Sequence, residues 1–332
     1  MKIQAIELRE RGRVDLGANA PLSKPLALYV EPTSLCNMRC TFCPTGDPKL
    51  RRIRPNGFME MAIFEKLVDD LRSWGVELRR VNLYKDGESL LHPRFAEMVR
   101  LLKSSGVTRE AWIKTNGLLL EPELNRQLIE SGLDFIGVSV NAVDAEGYWT
   151  VTQTKVDYEK MVEGVRDLYE RRGSCRIYVK IADAGFTEGQ KRKFLDDFGP
   201  ISDSCAIEQL HGWSASGMKD WTLGTNPTTF EGGPLVEKIA CPLPFFMLAV
   251  NWNGTVSLCN EDWLHATICG DLREQSLREI WEGERLRELR RMHLEGRRSD
   301  NAACRDCYYL RTLPDNIDAS RQEMLQRLDA AR

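Results

Sequence analysis

The chain has 332 residues, of which 42% are hydrophobic and 29% are charged, with a net charge of −3 at pH 7. This balance indicates a folded core, excludes an intrinsically disordered chain and provides no basic surface for nucleic acid. No apolar run approaches the roughly 20 residues of a membrane span, and the N-terminus lacks the apolar stretch of a signal peptide. Ten cysteines in this length are too few for a secreted disulfide scaffold. We therefore expect a cytoplasmic protein that binds neither nucleic acid nor a membrane.

Strand-like and helix-like segments alternate from residue 26 to residue 210. The strand-like runs are 26–30, 79–84, 111–115, 135–140, 176–181 and 205–210. The amphipathic helix-like segments are 61–74, 95–105, 122–132, 157–172 and 188–199. Such alternation with short connections predicts an α/β domain built on a parallel sheet. Active sites in these sheets lie at the carboxyl ends of the strands.

The composition becomes loop-like after residue 211, and a second pattern follows. Asn253-Gly254 lies between two short apolar runs and predicts a β-hairpin, and Ser276 with Glu279 predicts a capped helix that continues to Met292. A last helix is expected from Ala319. The predicted segments are an N-terminal extension (1–25), the α/β domain (26–211), a linker (212–240), a small cysteine-containing domain (241–312) and a C-terminal helix (313–332).

Three cysteines follow the first strand as C-x3-C-x2-C, at Cys36, Cys40 and Cys43. Zinc usually takes four protein ligands, so a lone triad suits it poorly. Buried packing thiols are also a poor explanation, because polar residues separate the cysteines and Pro44 and Gly46 follow at once. An iron–sulfur cluster held by three thiolates fits better, and it leaves one iron open to another ligand.

A second set of four cysteines lies in the C-terminal segment. Cys241 and Cys259 flank the predicted hairpin, and Cys304 and Cys307 form a C-x2-C in a predicted polar loop. Close thiol pairs of this kind point to a metal centre. A structural zinc and an iron–sulfur cluster both suit four thiolates, so the residues alone leave these two alternatives open.

The first triad, with Phe42 just before its third cysteine, resembles the radical S-adenosylmethionine (radical SAM) superfamily. The resemblance implies a partial (β/α)6 TIM-like barrel and a [4Fe–4S] cluster on Cys36, Cys40 and Cys43. It also implies that the open iron binds SAM, whose reductive cleavage gives a 5′-deoxyadenosyl radical. An electron donor such as flavodoxin or ferredoxin is then expected as a partner.

Further residues match the superfamily at the ends of later strands. Asp86, Gly87 and Glu88 resemble its Gly-Gly-Glu motif, with Asp86 in place of the usual first glycine. By resemblance this motif binds the SAM ammonium group. Contacts to the ribose and carboxylate of SAM are expected from three residues on strands four and five, namely Ser139, Asn141 and Lys180. Alternatively, each of these residues is a solvated polar group at a strand end.

The second cysteine set resembles the twitch domain, a shortened relative of the SPASM domain that consists of a hairpin and a helix. The resemblance implies one auxiliary [4Fe–4S] cluster on Cys241, Cys259, Cys304 and Cys307, and hence two clusters and seven ligands in all. Among the spare thiols, Cys175 and Cys205 at strand starts are expected in the core. Cys269 is either a packing residue or a donor of a hydrogen atom, and the sequence does not decide between them.

The spacing of the second set is similar to radical SAM dehydrogenases of aminocyclitols and epimerases of aminoglycosides. We therefore expect an oxidoreductase that converts a carbinol carbon of a sugar, amino sugar or cyclitol into a ketone. Glu208, a candidate catalytic residue, and Gln209 and Trp213 supply carboxylate, amide and aromatic groups for a hydroxyl-rich substrate, and His211 lies between them.

Three alternatives remain open. An epimerase would use Cys269 as its catalytic hydrogen donor. A peptide-modifying maturase is less favoured, because the stretch before Cys36 is too short for a leader-recognition domain. A binding protein with a structural zinc on the second cysteine set is the alternative without catalysis.

Overall fold

The computed structural model describes residues 14–183, 185–209, 228–229 and 233–331. Its strands, numbered in chain order, are β1 (Ala27–Val30), β2 (Leu78–Asn82), β3 (Thr108–Thr115), β4 (Phe135–Val140), β5 (Arg176–Asp183), β6 (Ser204–Gln209), β7 (Met247–Val250), β8 (Thr255–Ser257) and β9 (Ile268–Asp271). The helices between residues 14 and 200 are α1 (Leu16–Asn19), α2 (Pro48–Ile53), α3 (Met61–Trp74), α4 (Phe95–Ser104), α5 (Pro122–Glu130), α6 (Ala145–Thr152), α7 (Tyr158–Arg171) and α8 (Glu188–Phe198). Those after residue 270 are α9 (Leu277–Glu282), α10 (Glu284–Leu294), α11 (Ala302–Arg305), α12 (Tyr309–Thr312) and α13 (Arg321–Ala330).

The described strands form one sheet in the order β6-β5-β4-β3-β2-β1-β7-β8-β9. Each strand from β1 to β6 is parallel to its neighbour, and a helix lies in the chain between consecutive strands. All six predicted strands and five predicted helices are present, with ends shifted by at most three residues. The α/β prediction, with a partial barrel of six β/α units, is therefore confirmed.

The two faces of the sheet carry different side chains because successive residues of a strand point to opposite sides. On the outer face, Leu28 and Ile136 are fully buried in the main core beneath the helices. On the inner face, a smaller aromatic cluster contains Trp112 and Phe135, whose rings stack at 4.2 Å between centroids. This cluster fills the inner face toward the amino ends of the strands. Beyond this cluster, nearer the carboxyl ends of their strands, the same face carries Lys114, Lys180 and Glu208.

The predicted hairpin is present, and it extends the sheet. β7 pairs in parallel with β1, so that Ala27 lies opposite Met247 and Val30 opposite Val250. β7 then pairs antiparallel with β8 through the turn that contains Gly254, whose φ of 87° favours glycine. Because β7 hydrogen-bonds directly to the first barrel strand, the C-terminal cysteine segment is tied to the edge of the barrel sheet. The sequence did not predict this pairing.

The predicted helix from Ser276 to Met292 is wrong as one continuous element. Its capping box is present, since Ser276 and Glu279 exchange hydrogen bonds. The helix nevertheless ends at Glu282, and a new one begins at Glu284, because Gly283 takes an extended conformation with ψ of 155°. The structure also adds β9 and α6, which the sequence did not predict, and places Cys304 within α11 where a polar loop was expected.

The two ends of the described chain pack together. Leu16 and Ala20 lie in one apolar cluster with Met324 and Leu328 of α13. The Arg327 guanidinium donates to the carbonyl oxygen of Ala18 at 2.8 Å. The last helix begins at Arg321, after a 3-10 turn, close to the predicted start. Among the described residues, no helix is long and apolar enough to cross a membrane.

Gly164 allows helix α7 to approach the chain after β3. A Cβ atom at this position would lie 2.3 Å from the carbonyl oxygen of Leu120. Since backbone must move to relieve this clash, we expect Gly164→Ala to lower the free energy of unfolding by roughly 1–3 kcal/mol. Gly189 of α8 is the matched control, because its added Cβ would meet only a hydroxyl at 3.9 Å. Urea unfolding should show no loss for Gly189→Ala, and equal midpoints for both variants would contradict the packing argument.

Candidate metal centres

The first cysteine triad lies in the loop that follows β1. The backbone N–H of Cys43 donates to the carbonyl of Cys40 at 3.1 Å, which curls the loop. Burial raises the pKa of Cys40, and the neighbouring thiols Cys43 and Cys36 raise it further. The three thiols are thus close enough to interact electrostatically. Thiolates packed so closely need a cation to stabilise them, which is the environment that an iron–sulfur cluster provides.

The loop that carries the cysteine triad is held by hydrogen bonds to α6 and by close packing at Gly46. The N–H groups of Arg39 and Thr41 donate to the last carbonyls of α6, on Thr152 and Val151, at 3.0 and 2.9 Å. On the other side, a Cβ atom on Gly46 would lie 2.5 Å from the carbonyl oxygen of Cys40. The loop is therefore held in place by backbone contacts on both sides. Phe42 is half-buried within it.

Gly87 and Glu88 follow β2 and lie beside the loop that carries the triad, where the Glu88 N–H donates to the carbonyl of Leu35. A Cβ atom on Gly87 would lie only 2.3 Å from the carbonyl oxygen of Thr33, so this position requires glycine. The Glu88 carboxylate accepts backbone N–H groups of Leu90 at 3.1 Å and Asn116 at 2.7 Å. The two carboxylate oxygens of Glu88 thus link the loop after β2 to the loop after β3 by hydrogen bonds. The predicted contact of Glu88 with the SAM ammonium stays a prediction.

Ser139 and Asn141 lie on the neighbouring part of the same edge, at the end of β4. The Asn141 amide donates to the Ser139 carbonyl at 3.2 Å and lies 3.6 Å from the sulfur of Met38. Met38 lies between the first two cysteines of the triad, so Asn141 is close to the cysteine loop. Ser139, two residues before Asn141, is half-buried. These placements suit the predicted SAM contacts without testing them.

Lys180 and Glu208 form an ion pair on the inner face. The Lys180 ammonium donates to Glu208 Oε2 at 2.5 Å, and the Tyr178 hydroxyl donates to Oε1 at 2.7 Å. Burial opposes ionisation of Glu208, but Lys180 and Lys114 outweigh it and lower the pKa of this carboxyl to about 2. Glu208 is therefore a weak base held in its ionised form. It is better suited to orienting Lys180 and accepting hydrogen bonds than to removing a proton.

Asp86 is part of a buried ionic cluster that the sequence did not predict. We call it the rim cluster, and its members are Glu31, Arg54, Lys85, Asp86 and His265. Arg54 and Lys85 both donate to Asp86 Oδ2, the latter at 2.9 Å, and Arg54 lies 3.9 Å from Glu31. The Asp86 carboxylate is thus neutralised by protein cations. Its predicted role in SAM binding remains untested.

The rim cluster joins the barrel to the C-terminal cysteine segment. Arg54 donates to the carbonyl of Trp263 at 3.2 Å and lies 3.3 Å from His265 Nε2. Lys85 reaches the carbonyl of Asp262 at 3.4 Å. Glu31, at the end of β1, accepts the N–H of Trp252 in the hairpin at 3.1 Å. The segment after Cys259 is therefore fixed to the carboxyl ends of the first two barrel strands.

The protonation of the rim cluster follows from these contacts. Burial and the charge of Asp86 raise the pKa of Glu31 to about 7. Burial would also raise the pKa of Asp86, but Lys85 and Arg54 hold it below its usual value. Burial and the same two cations lower the pKa of His265 to about 3, so this imidazole is neutral and can accept from Arg54. Because two protein cations already neutralise Asp86, a metal ion on these carboxylates is not needed.

The second cysteine set converges around one cavity. Burial raises the pKa of Cys241 and Cys259 well above the usual value, and the neighbouring thiols of the set add to both shifts. Burial and neighbouring Cys307 raise the pKa of Cys304 to about 12, and burial and Glu261 raise that of Cys307 to about 11. Four buried thiols facing one cavity fit a four-thiolate metal centre, since a bound metal would stabilise their ionised forms.

Two residues that the sequence did not single out line this cavity. His293 of α10 is 1% exposed, and its Nε2 lies 3.7 Å from Cys304 Sγ. Burial and Arg298 lower the pKa of His293 to about 4. Arg298 itself donates to the carbonyl of Cys304 at 2.5 Å. No ligand spacing in the sequence marked His293, because its partners are distant along the chain.

Three neighbouring side chains, those of Tyr29, Tyr84 and Lys114, lie between the second cysteine set and the inner face of the barrel. Tyr29 of β1 packs in one apolar cluster with Cys241, Cys259 and Cys307. Its ring meets Tyr84 edge-on at 5.4 Å, and the Lys114 ammonium lies 5.3 Å from the Tyr84 ring centre. Lys114 also acts on Glu208 electrostatically. The second metal centre therefore borders the polar inner face.

All ten cysteines lie in the described part of the chain, and the three spare ones pack against the main core. Cys269 is 6% exposed, and its thiol donates to the Val256 carbonyl at 3.2 Å. This position suits a packing residue, and the structure does not bring Cys269 to the polar inner face. Cys205 precedes inner-facing Ala206 and therefore points to the outer face. His211 and Trp213 lie outside the described residues.

Comparison with known proteins agrees with this architecture. The radical SAM superfamily matches residues 30–182, and an iron–sulfur cluster-binding domain of the SPASM type matches residues 241–308. The chain belongs to the radical SAM superfamily and carries a SPASM-like cluster-binding domain of the twitch type. Its cofactors are accordingly SAM, a SAM-binding [4Fe–4S] cluster and an auxiliary [4Fe–4S] cluster. The match of residues 241–308 to an iron–sulfur cluster-binding domain favours a cluster over a structural zinc in the second site.

Individual relatives share modest identity over most of the chain. A tungsten-containing aldehyde ferredoxin oxidoreductase cofactor-modifying protein from Pyrococcus furiosus is 25% identical over 78% of this chain and 81% of its own length. An S-adenosyl-L-methionine-dependent 2-deoxy-scyllo-inosamine dehydrogenase from Niallia circulans is 23% identical over 84% of this chain and 91% of its own. The crystal structure of BtrN in complex with AdoMet and 2-DOIA aligns with a TM-score of 0.57 at 19% identity, over 88% of this chain and 97% of that one. The structural similarity to BtrN supports the fold alone, because the sequence identity is low.

Removing Arg54 should destabilise the protein through the rim cluster. Arg54→Met leaves the buried carboxylates of Asp86 and Glu31 with less positive charge, so we expect a loss of about 3 kcal/mol, with Lys85 limiting the effect. Arg52→Met is the matched control, because this side chain is exposed on α2 and should cost little. Anaerobic urea unfolding of the cluster-loaded proteins measures both. Coinciding midpoints for the two variants would show that the rim cluster does not stabilise the fold.

The two cysteine sets should load iron independently. We expect about eight irons per wild-type chain and about four in both Cys36→Ala and Cys304→Ala, since each loses one cluster. The SAM-dependent change in the EPR spectrum should persist in Cys304→Ala and disappear in Cys36→Ala. Cys205→Ala, whose thiol faces the outer side of the sheet, should keep all eight. Eight irons in Cys304→Ala, or one zinc at the second site, would overturn the proposed ligands.

Proposed function

We propose that this radical SAM enzyme is a dehydrogenase that oxidises a carbinol carbon of a sugar, amino sugar or cyclitol to a ketone. When bound, SAM and its cluster would supply the radical that abstracts the carbinol hydrogen, and the auxiliary cluster would supply the acceptor for the remaining electron once the hydroxyl proton is lost to a base. Cys36, Cys40 and Cys43 hold the first cluster in this proposal. Cys241, Cys259, Cys304 and Cys307 hold the second.

The observation that carries the proposal is the position of the second cysteine set beside the inner face of the barrel. Tyr29 packs against the same apolar cluster as Cys241, Cys259 and Cys307, and its ring meets that of Tyr84. A substrate bound between Tyr84 and Glu208 would therefore lie near a centre that can accept an electron. Such an acceptor is needed for a radical to end as a ketone.

The inner face suits a hydroxyl-rich substrate. The Lys180–Glu208 pair and the Tyr178 hydroxyl offer both donors and acceptors. Lys114 of β3 adds a cation, and Tyr84, which follows β2, adds a phenol. Such groups position hydroxyls by directional hydrogen bonds in a partly buried site. Because Glu208 is a weak base, we propose that it orients substrate and Lys180 and does not itself remove the hydroxyl proton.

The placement of the spare thiols favours oxidation over epimerisation. A hydrogen-atom donor must reach the face of the substrate opposite the abstracted hydrogen. Cys175 and Cys269 are buried in the main core, and Cys205 points to the outer face of the sheet. None of these three thiols faces the polar inner side. The relative from Niallia circulans, a 2-deoxy-scyllo-inosamine dehydrogenase, also supports an oxidation.

A second candidate is modification of a cofactor or peptide that belongs to another protein. The observation in its favour is the Pyrococcus furiosus relative, which is named as a cofactor-modifying protein and is 25% identical over 78% of this chain. This reaction would place a larger substrate at the same carboxyl edge. A substrate of that size would need an open approach to Lys180 and Glu208.

Product analysis separates the proposed reaction from epimerisation. Anaerobic incubation with SAM, a reductant and a panel of aminocyclitols and amino sugars should give a product two mass units lighter, with one 5′-deoxyadenosine for each product. Cys304→Ala should still cleave SAM but lose the ketone, because it lacks the electron acceptor. Cys205→Ala serves as the control and should retain the ketone.

Deuterium incorporation provides the opposing outcome. An epimerase run in D2O would return a product of the substrate's composition with deuterium on carbon, and Cys269→Ala would abolish that product. Deuterium on the product carbon, or loss of that product in Cys269→Ala, would contradict the dehydrogenase proposal. Conversion of a peptide or a protein-bound cofactor, with no turnover of any cyclitol or sugar, would favour the second candidate.

A further inference from the structure

His293 lies between two residues of the second cysteine set. It comes from the last turn of α10 and is 1% exposed. Its Nδ1 is 3.4 Å from the backbone nitrogen of Cys241, and its Nε2 is 3.7 Å from Cys304 Sγ. The imidazole therefore bridges the backbone of one proposed ligand and the sulfur of another.

These two contacts assign the proton of the ring. Nδ1 accepts the N–H of Cys241 and so carries no hydrogen of its own. A neutral imidazole then has its single proton on Nε2, which faces Cys304 Sγ. A metal-bound thiolate has no proton to donate. The contact with Cys304 can consequently run in one direction only, from the His293 N–H to the sulfur.

We propose that His293 donates a hydrogen bond to the Cys304 sulfur of the auxiliary cluster and thereby raises the reduction potential of that cluster. This inference rests on the proposed four-cysteine site. It makes His293 a positioning residue that acts through Cys304 and adjusts the cluster to accept an electron from the substrate.

The physical reason is the charge that the cluster gains on reduction. A donor aimed at a sulfur stabilises the reduced form more than the oxidised form, and hydrogen bonds to sulfur are among the main determinants of cluster potential. Burial strengthens the effect because the local dielectric is low. The carboxylates of Asp262 and Glu261 act electrostatically on Cys304 and Cys307 with the opposite sign. His293 is thus a hydrogen-bond donor in a site that also contains acids.

Two substitutions separate the two hydrogen bonds of the ring. In His293→Asn, the amide oxygen can still accept the Cys241 N–H, but the side chain is too short to reach Cys304. In His293→Gln, the longer amide can again donate to the sulfur. We expect His293→Asn to lower the equilibrium constant for reduction of the auxiliary cluster by about tenfold. For a one-electron couple this is about 59 mV. His293→Gln should recover most of the shift.

EPR-monitored redox titration of the fully loaded enzyme measures these potentials. The SAM-binding cluster in the same sample is an internal control, because His293 contacts only the second set of cysteines, and its potential should not move. His92→Asn is the matched control variant. His92 is also a buried histidine, but its Nε2 pairs with the Met59 carbonyl at 2.9 Å, so its loss should leave the auxiliary potential unchanged.

Two outcomes would contradict the proposed hydrogen bond from His293 to Cys304. One is an unchanged auxiliary potential in His293→Asn with eight irons retained, which would leave the cysteine site itself intact. Another is measurable without any variant: pulsed EPR of wild-type enzyme exchanged into D2O should show a deuteron coupled to the auxiliary cluster, and its absence would refute the hydrogen bond. Eight irons in Cys304→Ala would instead remove the proposed site, so the two failures are distinguishable.

Discussion

The rim cluster holds the two halves of this enzyme together, because it places two cations and two carboxylates in a buried environment where none can be left unpaired. Arg54 follows the first cysteine loop, and it donates both to Asp86, which follows β2, and to the carbonyl of Trp263 beyond Cys259. The desolvation of these charges is costly and is offset only when all partners are in place. The relative position of the two proposed metal centres therefore depends on this interaction.

The pairing of β7 with β1 has a complementary effect at the backbone level. It places the second cysteine set near the inner face, where Tyr29 shares an apolar cluster with this set and meets the ring of Tyr84. Radical chemistry at the carboxyl edge and electron acceptance at the second centre are then possible within one site. In the proposed reaction, Glu208, which Lys180 holds ionised, serves as a binding group.

Sequence patterns predicted the elements better than their connections. Period-two and helical hydrophobic patterns located every barrel strand, because each pattern reflects burial on one local face. Gly283 shows where this failed, since a glycine within a helical pattern does not reveal whether it will be extended. The seven proposed ligands were predicted from spacing and resemblance. His293 and Arg54 were not, because their partners are far away along the chain.

The sequence by itself determined the superfamily, the parallel sheet and the two cysteine sets, since these depend on short-range spacing and periodicity. Only the tertiary structure decided which charges neutralise one another, which face each spare thiol occupies and how the two cysteine sets are joined. Asp86 illustrates the difference: its place after β2 suggested a ligand contact, but its carboxylate is bound by Arg54 and Lys85. Electrostatic pairing in a buried site is set by three-dimensional distance, and separation along the chain does not encode it.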